Sequence, residues 1–295
     1  MLCLIFSFLL YLSPQYTGNY QASLLDKISR LENTDSPKIV LIGNSNLAFG
    51  IDSEELEREF RMPVINMGLH GGLGNAFHEK VSLTNIREGD IYIICHNTYH
   101  DDGTIPDPDL AWITIEDHFF LWKMLCREDI KPMFYAYPAY LKRCISLWLT
   151  DSGNRDYGDN VYTRSAFNEY GDIEWDDDGQ IYEFKPGDIT LPQISNNVIL
   201  RLNELNTYLT DQGATLLLAG YPIADTVDRP SDEMFRSFRQ ELAKQMDAPV
   251  ISDYTDYIYP ESYFFDTSFH LNTNGKKART QQLIKDLQAY LYHSG

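Results

Sequence analysis

The chain has 295 residues, 43% of them apolar and 23% charged. That composition supports a sizeable core and excludes a disordered, collagen-like or multi-span membrane chain. Asp plus Glu number 43 against 24 Lys plus Arg, a net charge of -19; such a field repels phosphate backbones and argues against nucleic acid as a partner.

Residues 1–12 (MLCLIFSFLLYL) are almost wholly apolar, and no charge precedes Asp26. The run is shorter than the roughly 20 residues a bilayer-spanning helix needs. It also lacks a basic n-region and an A-x-A-like cleavage site. Two readings stay open, the stub of a signal-anchor and a short apolar helix docked on the domain. The first sets a leader at 1–20 before a single domain at 21–295 and an extracytoplasmic, membrane-anchored location; the second leaves a cytoplasmic one open. The cysteines Cys3, Cys95, Cys126 and Cys144 form no C-x-x-C pair, which excludes a zinc ribbon or thioredoxin-type motif. Free buried thiols are the expectation, with a Cys126–Cys144 pairing left open.

Leu24, Leu25, Ile28 and Leu31 predict an amphipathic helix over 21–31. Residues 38–42 (KIVLI) form a short continuous apolar run, the pattern of a strand buried on both faces. The turn Gly43-Asn44-Ser45-Asn46 follows, and Asp52 or Ser53 caps a helix bearing Leu56 and Phe60. Residues 63–66 read as a second strand, entering a glycine-rich turn (68–74) and then a helix towards Thr84. Residues 90–95 (DIYIIC) read as a third strand. Further on come a long helix over 192–212, a buried strand over 214–219 (ATLLLA), a helix from Ser231 to about Met246, a short strand at 249–251 and a terminal helix over 276–291. Strands alternating with helices predict an α/β sandwich with a mainly parallel sheet and functional loops at the carboxyl ends of its strands. The stretch from about 101 to 188 breaks this rhythm, with a Trp- and Phe-rich helical segment over 111–126 and then a polar run rich in Tyr, Asp and Gly. It predicts an insertion leaning over the active-site end like a lid.

Ser45 lies directly after a buried strand and before a helix, a placement that exposes a hydroxyl and offers backbone N–H groups to a developing oxyanion. Near the other terminus, Asp266 and His270 precede the last helix. A histidine there can serve as general base towards Ser45, with a nearby carboxylate holding its tautomer.

Four blocks of residues make the sequence resemble the SGNH/GDSL hydrolases, particularly a divergent bacterial branch near enzymes of cell-surface polysaccharide acylation. These are Ile42-Gly43-Asn44-Ser45-Asn46, similar to the family's G-D-S turn; Asn66-Met67-Gly68-Leu69-His70-Gly71, similar to N-x-G-x-x-G; Cys95-His96-Asn97-Thr98, matching G-x-N-D at the Asn; and Asp266 to His270, followed by Leu271-Asn272. The resemblance spans about 35–105 and 190–295, roughly 60% of the chain. The resemblance implies a three-layer α/β/α sandwich of flavodoxin-like topology. It implies Ser45 as nucleophile, His270 as base and Asp266 as orienting carboxylate. The backbone N–H groups of Ser45 and Gly71 and the Asn97 side chain would form an oxyanion hole, with Asn44, Asn46 and His70 lining the site. It further implies no cofactor, an acyl-ester substrate such as an O-acylated glycan, and a membrane-anchored context or a membrane acyltransferase as partner. Hydrolysis, acyl transfer and a non-catalytic glycan-binding role all fit the motifs. This chain departs from the family in three ways: four residues rather than three separate Asp266 from His270, the third block lacks its Gly and Asp, and Asn44 replaces Asp. The first leaves Asp253 and Asp256 as further candidates for the orienting role. The segment Phe167 to Asp172 has a family-like look without an assignable role.

Other patterns fall away on their chemistry. His96 and His100 have the i, i+4 spacing of a zinc helix but follow a strand, and Asn97 stands where H-E-x-x-H needs Glu. A loop beginning at Glu174 lacks the twelfth-position Glu of a calcium loop, with Lys185 in its place. The glycines at 68–74 do not form G-x-G-x-x-G and no G-K-[ST] follows.

Overall fold

The computed structural model describes residues 16–116, 118–150, 161–174, 187 and 189–294; the leader 1–12 and the residues after Glu174 weighed as a calcium loop lie outside them. Four strands form a parallel sheet in the order β2-β1-β3-β4, with β1 Ile39–Ile42, β2 Val64–Asn66, β3 Ile91–Ile94 and β4 Thr215–Leu218. A parallel bridge from Leu218 to Val250 extends it one position further. The continuous apolar run of β1 is explained by burial on both faces. Ile39 and Leu41 pack into one cluster with Ile93, Leu217, Leu56 and Leu283, while Val40 and Ile42 pack into a larger one with Ile28, Tyr92, Leu202 and Leu216. This two-residue alternation puts apolar layers on both sides of the sheet, an arrangement compatible with a three-layer sandwich.

The helices start where local chemistry starts them. Helix α1 (Ser23–Asn33) buries Leu24, Ile28 and Leu31 at helical spacing. After β1 comes the short helix α2 (Ser45–Gly50), then α3 (Ser53–Phe60), whose N-cap Asp52 accepts from Glu55 N at 2.9 Å. Helix α4 (Asn75–Val81) follows the glycine-rich turn. After residue 188 lie α7 (Asn196–Asp211), α8 (Asp232–Gln245) and α9 (Thr273–Ser294), with Ser195 and Ser231 as the N-caps of the first two. The last helix begins at Thr273 rather than the expected 276, because the Asn272 side chain accepts from the N–H groups of Asn274 and Gly275. A two-stranded parallel pair, β5 (Ile223–Ala224) with β6 (Ile258–Tyr259), has no counterpart among the expected elements. No described helix is long and apolar enough to cross a membrane.

Two expectations within 101–188 need correction. The segment 111–126 is not one helix: α5 (Pro108–Ile115) ends at Glu116, whose φ is 32°, and a 3-10 turn follows at Phe119–Met124. The run after it, expected to be polar, contains a 20-residue helix, α6 (Ile130–Leu149), packed on α5. Its apolar residues occupy both its inner and its outer face, which hides the 3.6-residue period. Cys95, Cys126 and Cys144 are free thiols, so the Cys126–Cys144 pairing is not formed.

The strand order positions the site. From β1 the chain moves outward to β2 and then crosses back over β1 to β3. The loops leaving β1 and β3 therefore diverge at the sheet's carboxyl edge and open a crevice between them. Ser45 follows β1 and Asn97 follows β3.

Candidate active site

The serine, the histidine and the carboxylate meet. Ser45 Oγ lies 2.8 Å from His270 Nε2, and His270 Nδ1 lies 2.8 Å from Asp266 Oδ1. With Nδ1–H donating to the carboxylate, Nε2 is the acceptor that faces the Ser45 hydroxyl. Asp253 and Asp256 are engaged elsewhere: Asp253 accepts from Thr255, and Asp256 accepts from Gln282. The four-residue spacing is accommodated by a tight turn. Phe265 N donates to His270 O at 2.8 Å and Phe264 bridges Leu271, so the chain folds back on itself between Asp266 and His270.

Two aromatic residues that no motif marks hold the imidazole. The Phe49 ring stacks on it with centroids 4.0 Å apart and planes 10° from parallel. The Tyr162 hydroxyl donates to Asp266 Oδ2 and lies 3.3 Å from His270 Nδ1. Burial pushes the Asp266 carboxyl up, but hydrogen bonds from His270 and Tyr162 outweigh it and hold the group below its ordinary range. Phe49 sits four residues after Ser45, and that spacing is the available signal; Tyr162 comes from the stretch 101–188, where no periodicity points to it.

Ser45, Asn44, Gly71, His70 and Asn97 line one cleft of about 460 Å³ with Tyr20, Tyr162, Thr267, Phe269 and His270. The two turns that carry them are adjacent, since Asn44 bridges Leu69. Asn46 is the exception among the expected lining residues. It is fully buried and is not part of the cleft lining.

That buried position gives Asn46 a different part. Arg279, from α9 and itself fully buried, donates to Asn46 O and, at 2.9 Å, to Asn46 Oδ1. A guanidinium only donates, so Asn46 must present its oxygen there and its amide N–H groups on the other side. Those donate to Asn44 Oδ1 at 2.7 Å and Cys95 O at 3.2 Å. With its oxygen so occupied, Asn44 donates through Nδ2 to Asn97 Oδ1 at 2.8 Å. The chain of amides thereby leaves the Asn97 N–H groups as the donors on the cleft side of that residue. No motif marks Arg279, although it stands four residues before Leu283 on the buried stripe of the helix.

The second motif block is braced from below. Asn66 Nδ2 donates to Leu47 O at 3.0 Å and to Asp172 Oδ1 at 2.8 Å, and Asn66 Oδ1 accepts from Gly68 N at 2.9 Å. Asp172 also accepts from Ser53 N and Ser53 Oγ, both at 2.7 Å. The segment Phe167 to Asp172 is thus a brace for the β2 turn. Lys27 Nζ caps Asn66 O at 2.8 Å, and burial pushes its ammonium down to about 7 against the pull of Asp172 and Asp26.

His96 is buried with Nε2 3.0 Å from Glu79 Oε1, while His100 is exposed. Among the described residues no group of three His, Cys, Asp or Glu side chains is placed to hold a metal ion. Comparison with protein-family models, with curated proteins and with solved structures found no match.

Proposed function

We propose that this protein is a serine esterase of SGNH/GDSL type that cleaves acyl esters, with O-acylated glycans as the substrate class. The observation that carries the reading is the continuous Ser45–His270–Asp266 hydrogen-bond chain, with two contacts of 2.8 Å, at the mouth of a cleft. Ser45 Oγ attacks the ester carbonyl as its proton passes to His270 Nε2, and Asp266 stabilises the imidazolium. The tetrahedral oxyanion forms against Asn97 and the backbone at Ser45 and Gly71. Its collapse breaks the ester C–O bond, and the leaving alcohol takes the proton from His270. Water, or a sugar hydroxyl in the transferase variant of the reaction, then attacks the acyl-Ser45 ester with His270 again as base.

The cleft's Tyr20, Tyr162 and Phe269 support a sugar-bearing substrate, since aromatic walls suit the apolar faces of sugar rings. In the same reading the sheet and its flanking helices form the three-layer flavodoxin-like sandwich, and 101–188 is the insertion that supplies Tyr162 to the cleft wall. The test is labelling with a fluorophosphonate probe, combined with assays on p-nitrophenyl esters and acetylated sugars. Label on the native protein, its loss in Ser45→Ala, and a fall in turnover of about 10,000-fold or more in that variant are expected. A native protein that takes no label and releases no acid overturns the reading in favour of a glycan-binding role.

A further inference from the structure

Helix α6 and the turn before it carry an apolar surface with no counterpart elsewhere on the described chain. Of the fifteen large apolar side chains exposed among the described residues, eight fall within 119–149. On α6 itself, Phe134, Tyr135, Trp148 and Leu149 are each exposed by 65% or more. At 100° per residue, Phe134, Ile145 and Leu149 share one stripe of the helix, with Tyr135 and Trp148 on its two sides. The opposite face is spent on the domain, through Met133 and Tyr140.

The charge around this stripe reverses the sign of the molecule. The whole chain is at -19, yet the exposed charged residues of this segment are Lys123, Arg127, Lys131 and Lys142 against Glu128. Asp129 does not enter that balance, because it is buried and accepts from Ile105 N and Cys126 N. Lys131 and Lys142 fall on the same side of the helix as the apolar stripe. An apolar face rich in Trp, Tyr and Phe, interleaved with lysines, is the pattern of a helix lying in the plane of a membrane interface. Such a helix needs no spanning length, and α6 is not apolar enough to cross.

We infer that α6 docks the protein on an anionic bilayer surface, with Phe134, Ile145, Trp148 and Leu149 entering the headgroup–acyl boundary and Lys131 and Lys142 meeting lipid phosphates. The inference does not depend on the chemistry of Ser45. The net acidic charge of the rest of the chain is repelled by the same surface, which sets the orientation: among the described faces, the α6 side is the one that approaches.

The full chain is to be tested by flotation with phosphatidylcholine vesicles and with vesicles of phosphatidylcholine and phosphatidylglycerol mixed two to one. Two double variants, Phe134→Ser/Trp148→Ser and Lys131→Glu/Lys142→Glu, change only exposed side chains and keep residues 1–15 intact. Circular dichroism and thermal melting check that each variant is folded. Preferential, salt-sensitive binding of the native protein to the anionic vesicles is expected. Each lysine near an anionic surface is worth about fivefold in partition, so the charge-reversed variant should lose about 25-fold or more. The serine variant should lose affinity for the same vesicles with its salt sensitivity retained. Equal binding to both vesicle types overturns the inference, as does binding that neither variant alters, which would place membrane affinity elsewhere in the chain. A concentration-dependent dimer that the serine variant dissolves, without vesicle binding, overturns it in favour of a second copy as the occupant.

Discussion

A buried arginine that donates to a side-chain amide leaves that amide one orientation, and the next amide in line inherits the constraint. Arg279 therefore acts on the cleft through Asn46 and Asn44, ending at Asn97. In the proposed reaction it would be a positioning residue. Arg279→Met should lower kcat by about 10- to 100-fold, less than the 100- to 1,000-fold typical of deleting an oxyanion donor, with KM little changed and Arg279→Lys recovering part of the loss. A raised KM at unaltered kcat would place the role of Arg279 in substrate binding or packing. Tyr162 acts on the carboxylate instead. Because the Asp266 pKa is depressed on folding, its contribution to stability is complete above the unfolded value of about 4 and disappears as pH falls through the lower folded value. Tyr162→Phe removes a donor to the ionised form and raises the folded pKa towards the unfolded one, so the loss should be smaller and complete at a higher pH. Urea midpoints measured from about pH 2 to pH 6 read the effect, and superimposable curves for the two proteins would refute it. Ser45, His270 and Asp266 are readable in the sequence because each stands in a local motif. Asn46 is misplaced by the same reasoning because a motif gives proximity along the chain and not the direction of a side chain.

Among the elements, the two turns behind the cleft are fixed by close backbone approach. A Cβ on Gly68 would lie 2.7 Å from Ala48 N and from Leu47 Cβ, and 2.9 Å from Asn44 O. Two of those atoms are main chain, so the turn and α2 would have to separate. Gly68→Ala should cost about 1–3 kcal/mol of stability and slow the reaction of Ser45 with the fluorophosphonate probe. A stable variant with native labelling would show that the turns can part without moving Ser45. The strands are legible because burial on both faces leaves no polar position in a four-residue run such as Ile39–Ile42. The pair β5 and β6, two residues each, is too short to leave a pattern. Helix α6 is hidden for the opposite reason: its outward face is apolar as well.

At the scale of the molecule, alternating strands and helices are enough to predict a mainly parallel sheet, but the order β2-β1-β3-β4 requires the structure. The stretch 101–188 is visible as a break in rhythm, and only coordinates reveal that it sends Tyr162 to Asp266. Ser45 and the imidazole it faces are 225 positions apart. Synthesis delivers Ser45 well before His270, with β2, β3 and β4 made in between. In the proposed chemistry, Ser45 would gain its base only once the segment before α9 seats against it, so labelling of Ser45 would time that step of folding.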